Sequence, residues 1–214
     1  MLVPFLYRLD REEFHGDETH WMTSSQVAFD LLVAGDLANS KWREQFYLYT
    51  QPQVGKVAIG ASLAAAGVRG SGNVIEYEWL LDPALNRERG AVPSDAELWS
   101  GRLPGAIAGW LGALMMWWLG SSLGRSDVGL ASALLLASHP LWLANARRTG
   151  MYAMALLFGL SATLAAINAG AVVGWVVTRV AGLSWIDGLG QREAAQFTDT
   201  ACAVLGAAAA GLAL

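Results

Sequence analysis

Apolar and polar positions divide this sequence into two halves that meet near Arg102. Residues 103–124 (LPGAIAGWLGALMMWWLGSSLG) form a run of 22 without a charge. At 1.5 Å per residue, a helix of that length crosses a hydrocarbon core of about 30 Å. Arg125, Ser126 and Asp127 interrupt the run, and 128–146 then gives a second span of 19 residues whose only irregularities are His139 and Pro140. The two spans read as a helical hairpin. After Arg147 and Arg148 the chain is uncharged over 149–178, longer than one perpendicular helix requires. We therefore expect a membrane helix over 150–170 and a second, partly inserted segment over 171–183. Residues 197–214 are apolar but short for a full crossing, so they are expected to be a partial span in which the chain stops inside a helix.

Residues 1–102 differ in kind. They are polar, interleaved with Trp, Tyr, Pro and Gly, and contain no run of membrane-spanning length. This half is expected to be a water-facing loop domain at the membrane surface. Within it, 18–37 has apolar Trp21, Ala28, Leu31 and Leu32 near the helical period, with Asp17 placed to cap the helix start. A second helix is expected over 54–68, lying in the interface and closed by Gly67 and Gly70. Residues 69–95 carry glycines, prolines and mixed charge, and read as an irregular connection back to the first span. The architecture expected is all-α: a multi-pass transmembrane helical bundle (103–214) with an N-terminal helical loop domain (1–102).

Composition sharpens the picture. Hydrophobic residues make up 54% of the chain and charged residues 15%, with a mean hydropathy of +0.37, which points to a lipid environment. The net charge is −4 and no Lys/Arg block is present, which gives no basis for nucleic-acid binding. Cys202 is the only cysteine, so neither an internal disulfide nor a thiolate metal cage can form. Met1 is followed within a few residues by Arg8, Asp10, Arg11, Glu12 and Glu13, so the start reads as the tail of a missing helix and not as a secretory signal.

The densest ionisable cluster is His15-Gly16-Asp17-Glu18-Thr19-His20-Trp21, where an extended segment meets a helix start. Three readings apply. Adjacent carboxylates can do acid/base or nucleophile-activating work. Alternatively, Asp17 caps the helix and Glu18 complements its dipole, together worth about 1 kcal/mol. A metal held by His15, His20 and a carboxylate is the third, although the spacing matches no strong zinc signature. Lys56 suits either a phosphate or a snorkelling position on an interfacial helix. Arg102, Arg147 and Arg148 suit a lipid-linked phosphate, or serve as anchors at helix ends. Trp21, Trp42, Tyr47 and Tyr49 suit sugar stacking or a headgroup belt.

The order of these motifs is an acidic Asp-Glu, then Tyr-x-Gln-Pro-x-Val-Gly-Lys, then Gly-Arg-Leu-Pro opening a membrane helix. It resembles the N-terminal part of the protein O-mannosyltransferase-like GT-C glycosyltransferases over about residues 10–165. The resemblance implies that Asp17 and Glu18 correspond to the family's catalytic carboxylates, with Asp17 as base or acceptor-orienting group. It implies that His20, Gln51 and Pro52 shape the acceptor side. Lys56, Arg102, Arg147, Arg148 and Tyr152 would then surround the phosphate. Here Tyr152 stands where some members have a second acid. The family has many more membrane helices, so this chain is expected to be a truncated or inactive member lacking the first and later ones.

What the resemblance implies is a multi-pass enzyme of the plasma (inner) membrane with 1–102 extracytoplasmic. It would transfer a mannose-like sugar from a polyprenyl-phosphate donor to a hydroxyl on a protein, lipid or glycan. No cofactor is specified, and a divalent ion on the carboxylates is compatible with this chemistry. The arginines taken alone would place 1–102 in the cytoplasm by the positive-inside rule; under the resemblance they are phosphate ligands instead. The competing class is a small non-enzymatic membrane scaffold or subunit, for which the Gly- and Ala-rich helices are equally suited.

Overall fold

The computed structural model describes residues 2–50, 52–68, 77–150 and 152–180. Every regular element among them is helical: α1 (Val3–Leu6), a 3-10 turn (Leu9–Arg11), α2 (Asp17–Val33), α3 (Lys41–Glu44), α4 (Phe46–Tyr49), α5 (Gln53–Ala65), α6 (Pro83–Glu88), α7 (Asp95–Ser122), α8 (Ser126–Ser138), α9 (Pro140–Ala146) and α10 (Tyr152–Val180). Helices α7 and α10 are long and apolar enough to cross a membrane, and α8 with α9 makes a third candidate if the bent pair is one span.

The helix signals act locally. At the start of α7, Ser94 and Glu97 form a reciprocal capping box, each side chain accepting from the other's backbone N–H. Asp95 and Glu97 place negative charge in that first turn. Helix α2 ends at Gly35, whose φ of +69° lets the Asp36 N–H reach the Leu31 carbonyl at 2.9 Å and the Gly35 N–H reach Leu32 at 3.0 Å.

Several boundaries depart from the hydropathy reading. Helix α7 begins at Asp95 and runs unbroken through residue 102, so the polar and apolar halves share one rod. The stretch 128–146, expected as a second span with His139 and Pro140 as its irregularities, bends by 67° between α8 and α9. The reason is Pro140, which holds His139 in an extended conformation (φ −71°, ψ 122°) and starts a new helix. Residues 152–180 form one helix where two segments, 150–170 and 171–183, were expected. Asp17 is the first residue of α2 and not its cap; Gly16 stands in that place, with no side-chain cap. The connection before α7 contains α6, capped by Asp82 accepting from the Ala84 N–H at 2.7 Å. The partial span over 197–214 and residues 181–183 lie outside the described residues.

Helix α7 is the axis of the packing. Gly101, Gly105 and Gly109 recur every four residues along α7 and let neighbouring side chains and, at Gly105, backbone close in. A Cβ on Gly105 would lie 2.9 Å from the Ala146 carbonyl oxygen and 3.2 Å from that of Arg148. One on Gly109 would meet Ala146 and, at 3.0 Å, the ring of Phe5. The core therefore brings N-terminal Phe5, Leu9 and Met22 together with Ala106 and Ala113 of α7, Ala146 of α9 and Met154 of α10. Gly120 and Gly129 meet at the tip of the α7–α8 hairpin, where a Cβ on Gly129 would lie 2.7 Å from the Trp117 carbonyl oxygen.

Candidate functional site

The N-terminus of α2 reaches α7 through a buried ion pair. Arg102 is fully buried and Glu18 almost so. The guanidinium grips the carboxylate in a fork, Nε donating to Oε1 at 2.8 Å and Nη2 to Oε2 at 2.7 Å. Nη1 donates to the carbonyls of Leu9 (2.8 Å) and Glu12 (3.1 Å). Glu18 also accepts the Thr149 N–H on Oε1 at 2.7 Å and the His15 N–H on Oε2 at 3.1 Å. Four segments of the chain are thus tied at this ion pair. A buried pair offsets its desolvation only when its remaining hydrogen-bonding capacity is largely met, and here both Glu18 oxygens accept two bonds and four of the five Arg102 N–H groups donate.

Beside this pair lies a cleft of about 120 Å³, lined by His15, Asp17, Glu18, Trp21, Asn145, Arg148, Thr149 and Tyr152. Asp17 and Glu18 are sequence neighbours, about 100° apart around a helix, so they face different surroundings. The Asp17 side chain is 61% exposed. Its backbone N–H donates to His15 Nδ1 at 3.3 Å, which marks that nitrogen as an acceptor. The 3.6 Å approach of Nδ1 to the Asp17 carboxylate becomes an ion pair only when the imidazole is protonated. His15 packs edge-on against Trp79.

The cations expected around a phosphate have separate fates. Arg102, expected among the phosphate ligands, is bonded to Glu18 and two carbonyls and does not line this cleft. Arg147 ties down the N-terminal segment: Nη1 lies 3.3 Å from Glu12 Oε2, and Nη2 donates to the carbonyls of Tyr7 (2.6 Å) and Arg8 (3.2 Å). Arg8 has a left-handed backbone (φ 52°), so this contact holds a turn disfavoured for a residue with a Cβ. Lys56 is buried, with Nζ donating to the carbonyls of Tyr47 and, at 3.0 Å, Leu48 at the end of α4. Burial pushes its amine down to about 8. Neither Arg147 nor Lys56 lines the cleft.

Arg148 does. Its nearest carboxylate is Glu13, at 3.8 Å from Nη2, and its Nε is buried without a hydrogen-bond partner. Tyr152, at the first position of α10, lines the cleft with its side chain largely exposed. His20 lies elsewhere, stacked on Tyr47 with ring centroids 4.3 Å apart. Pro52 serves as the N-cap position of α5, and Gln51 lies outside the described residues. No group of three His, Cys, Asp or Glu side chains suited to a metal converges among the described residues.

Asn145 and Thr149 are cleft residues without a sequence motif. Thr149 is 4% exposed, its N–H holds Glu18, and its Oγ1 has no partner. A second, larger hollow of about 380 Å³ opens between α5, α7 and α10, with Val54, Ala58, Leu103, Ile107, Met154 and Leu157 in its apolar lining. No family model, curated protein or solved structure matches the chain.

Proposed function

We propose that this protein is a membrane glycosyltransferase of the GT-C kind, taking a mannose-like sugar from a polyprenyl-phosphate donor to a hydroxyl acceptor. The observation that supports the reading best is the pairing of Asp17 and Arg148 in one cleft. There an exposed carboxylate and a guanidinium whose nearest carboxylate, Glu13, is 3.8 Å away stand beside the start of α10, one of the helices long enough to cross a membrane. In the reaction, the Asp17 carboxylate accepts the proton of the acceptor hydroxyl as its oxygen attacks the anomeric carbon. The bond from that carbon to the phosphate oxygen breaks, and its electron pair leaves with the polyprenyl phosphate, next to Arg148. Attack opposite the leaving group inverts the anomeric centre.

Glu18 and Arg102 have a different part in this scheme. Their mutual saturation sets the position of α2 against α7, and with it the position of Asp17. A donor lipid would lie with its headgroup at the cleft and the bilayer around α7 and α10, and residues 1–102 would face the extracytoplasmic side.

The test is transfer of label from a polyprenyl-phosphate sugar to endogenous acceptors, in membranes carrying this chain or its Asp17→Asn variant at matched insertion. General-base catalysis is worth about 10²–10⁴-fold, and a loss of that order is expected in the variant. Equal activity above background in both would remove Asp17 from the chemistry, and background levels in both would favour a scaffold.

A further inference from the structure

Three large apolar side chains stand in the open where α4 meets α5, although the half of the chain that carries them is polar: Phe46 is 59% exposed, Tyr49 53% and Val54 61%. From Phe46 to Gly55 no residue is charged, and the single charge on α5, Lys56, is fully buried. A contiguous apolar group at the surface needs a cover.

The direction of α5 says what that cover is. Near its C-terminal end, Ser62 donates to the Ser100 carbonyl at 2.7 Å, just before the apolar run of α7 begins at Leu103. Val54 lies about two turns earlier, about 12 Å along the helix axis. It lines the same hollow as Ile107 and Leu111 of α7 and Phe158 of α10. Helix α5 therefore runs antiparallel to α7; in the opposite sense Val54 would lie level with residues before the start of α7. Ile107 and Leu111 are about 6 and 12 Å into the apolar run. The N-terminal end of α5 thus stands beside the interior of two helices long enough to cross a membrane.

We propose that the α4–α5 elbow is a re-entrant insertion into the bilayer, with acyl chains covering Phe46, Tyr49 and Val54. The chain enters and leaves on the side that holds the cleft. Hydrocarbon sets a second requirement, because a backbone polar group finds no water there. The elbow meets it with its own side chains. The Phe46 carbonyl accepts the Thr50 hydroxyl at 2.7 Å, and the Tyr47 carbonyl accepts Lys56 Nζ. The Leu48 carbonyl accepts Lys56 Nζ at 3.0 Å and also Gln53 Nε2. Three consecutive carbonyls are covered in this way at the end of a four-residue helix, where in water solvent would serve as well. Lys41, Arg43 and Glu44, exposed just before the elbow, mark where the chain leaves the aqueous side. The sequence of α5 alone suggests a helix lying in the interface; its pairing with α7 carries one end deeper. This placement requires α7 to be in the membrane and does not depend on sugar transfer.

The experiment places a nitroxide on single cysteines in the full chain, in a Cys202→Ser background, reconstituted in phosphatidylcholine vesicles. Val54→Cys and Phe46→Cys report on the elbow and Ile107→Cys on the apolar run of α7. Leu85→Cys reports on α6, which Asp82, Arg87 and Glu88 mark as water-facing. Collisions with oxygen, which partitions into hydrocarbon, are compared with collisions with a water-soluble nickel chelate. Nickel collisions at Val54 and Phe46 are expected to fall to the low level of Ile107, while Leu85 keeps them. Nickel access at Val54 equal to that at Leu85, or intermediate as for a helix lying on the surface, overturns the insertion. Nickel access at Ile107 overturns it as well, by taking α7 out of the membrane. A second measurement is free of labels. Val54→Asp should lower the amount of protein recovered in the membrane fraction, whereas Leu85→Asp, also at an exposed apolar position, should not. Equal recovery of the two variants overturns the insertion.

Discussion

The Ser62 hydroxyl of α5 donates to the Ser100 carbonyl of α7 at 2.7 Å, four residues before Pro104. In an unbroken helix that carbonyl would receive the N–H of residue 104, which proline does not have. A neighbouring helix therefore supplies the missing donor, and α7 carries a proline in its interior while spanning 28 residues. Ser62→Ala is expected to cost about 1–2 kcal/mol by leaving a buried carbonyl unpaired. In a Pro104→Ala background the alanine N–H takes over, and the same substitution should become nearly neutral. A thermal-midpoint double-mutant cycle checks this, and an additive cycle would show that the two positions are not coupled.

The adjacent carboxylates should separate just as clearly. Arg102→Met leaves Glu18 buried and unpaired, and is expected to destabilise the protein by about 3–5 kcal/mol. Arg102→Lys should rescue little of this, because one ammonium cannot span the carboxylate fork and the two carbonyls of Leu9 and Glu12. Asp17→Asn, exposed on the next residue, should stay within about 0.5 kcal/mol of the starting protein. Unfolding in detergent compares the three, and a large loss from Asp17→Asn would assign Asp17 a structural role.

Hydropathy alone made the helical class, the apolar rods and the polar cluster at 15–21 legible, because all three depend on local pattern. The division of labour between Asp17 and Glu18 was not legible. It depends on Arg102, 84 positions away in sequence, and no spacing rule ties those residues together. Arg102 and Lys56 read as phosphate ligands or membrane-interface cations because their partners do not show in the sequence: distant Glu18 with the Leu9 and Glu12 carbonyls for Arg102, and the Tyr47 and Leu48 carbonyls for Lys56. Thr149 was hidden because its contribution comes from a backbone N–H and an unpaired hydroxyl. The bend at Pro140 and the Gly101-Gly105-Gly109 stripe had visible signals, a proline inside an apolar run and a four-residue glycine period, whose consequences appear once the facing helix is in place.

That stripe gives a prediction of its own. At Gly105 the obstacle to a Cβ is backbone, the carbonyl oxygens of Ala146 and Arg148, and not the end of a movable side chain. Gly105→Ala should therefore push α9 and the 147–149 segment away from α7 at a cost of about 1–3 kcal/mol. The displacement should also loosen the Thr149 N–H from Glu18. Amide hydrogen exchange at Thr149 reads the second effect directly, and unchanged protection there would show that α9 absorbs the added methyl elsewhere.

Lys56 sets a pH dependence whose sign is fixed by its burial. Its folded value of about 8 lies below the ordinary 10.5, so between these values the unfolded chain holds the proton that the folded chain has released. Stability should then rise with pH across that window, because the desolvation cost of the ammonium, present in full below about pH 8, fades as the folded amine becomes neutral. In Lys56→Met the contribution is absent at every pH, although the carbonyls of Tyr47 and Leu48 lose a donor and lower the overall level. The difference in unfolding midpoint between protein and variant should accordingly widen in favour of the lysine form from pH 8 to 10.5. Other groups that titrate in this range cancel in the comparison. A difference that stays flat would mean that the two carbonyls hold the ammonium charged in its buried position.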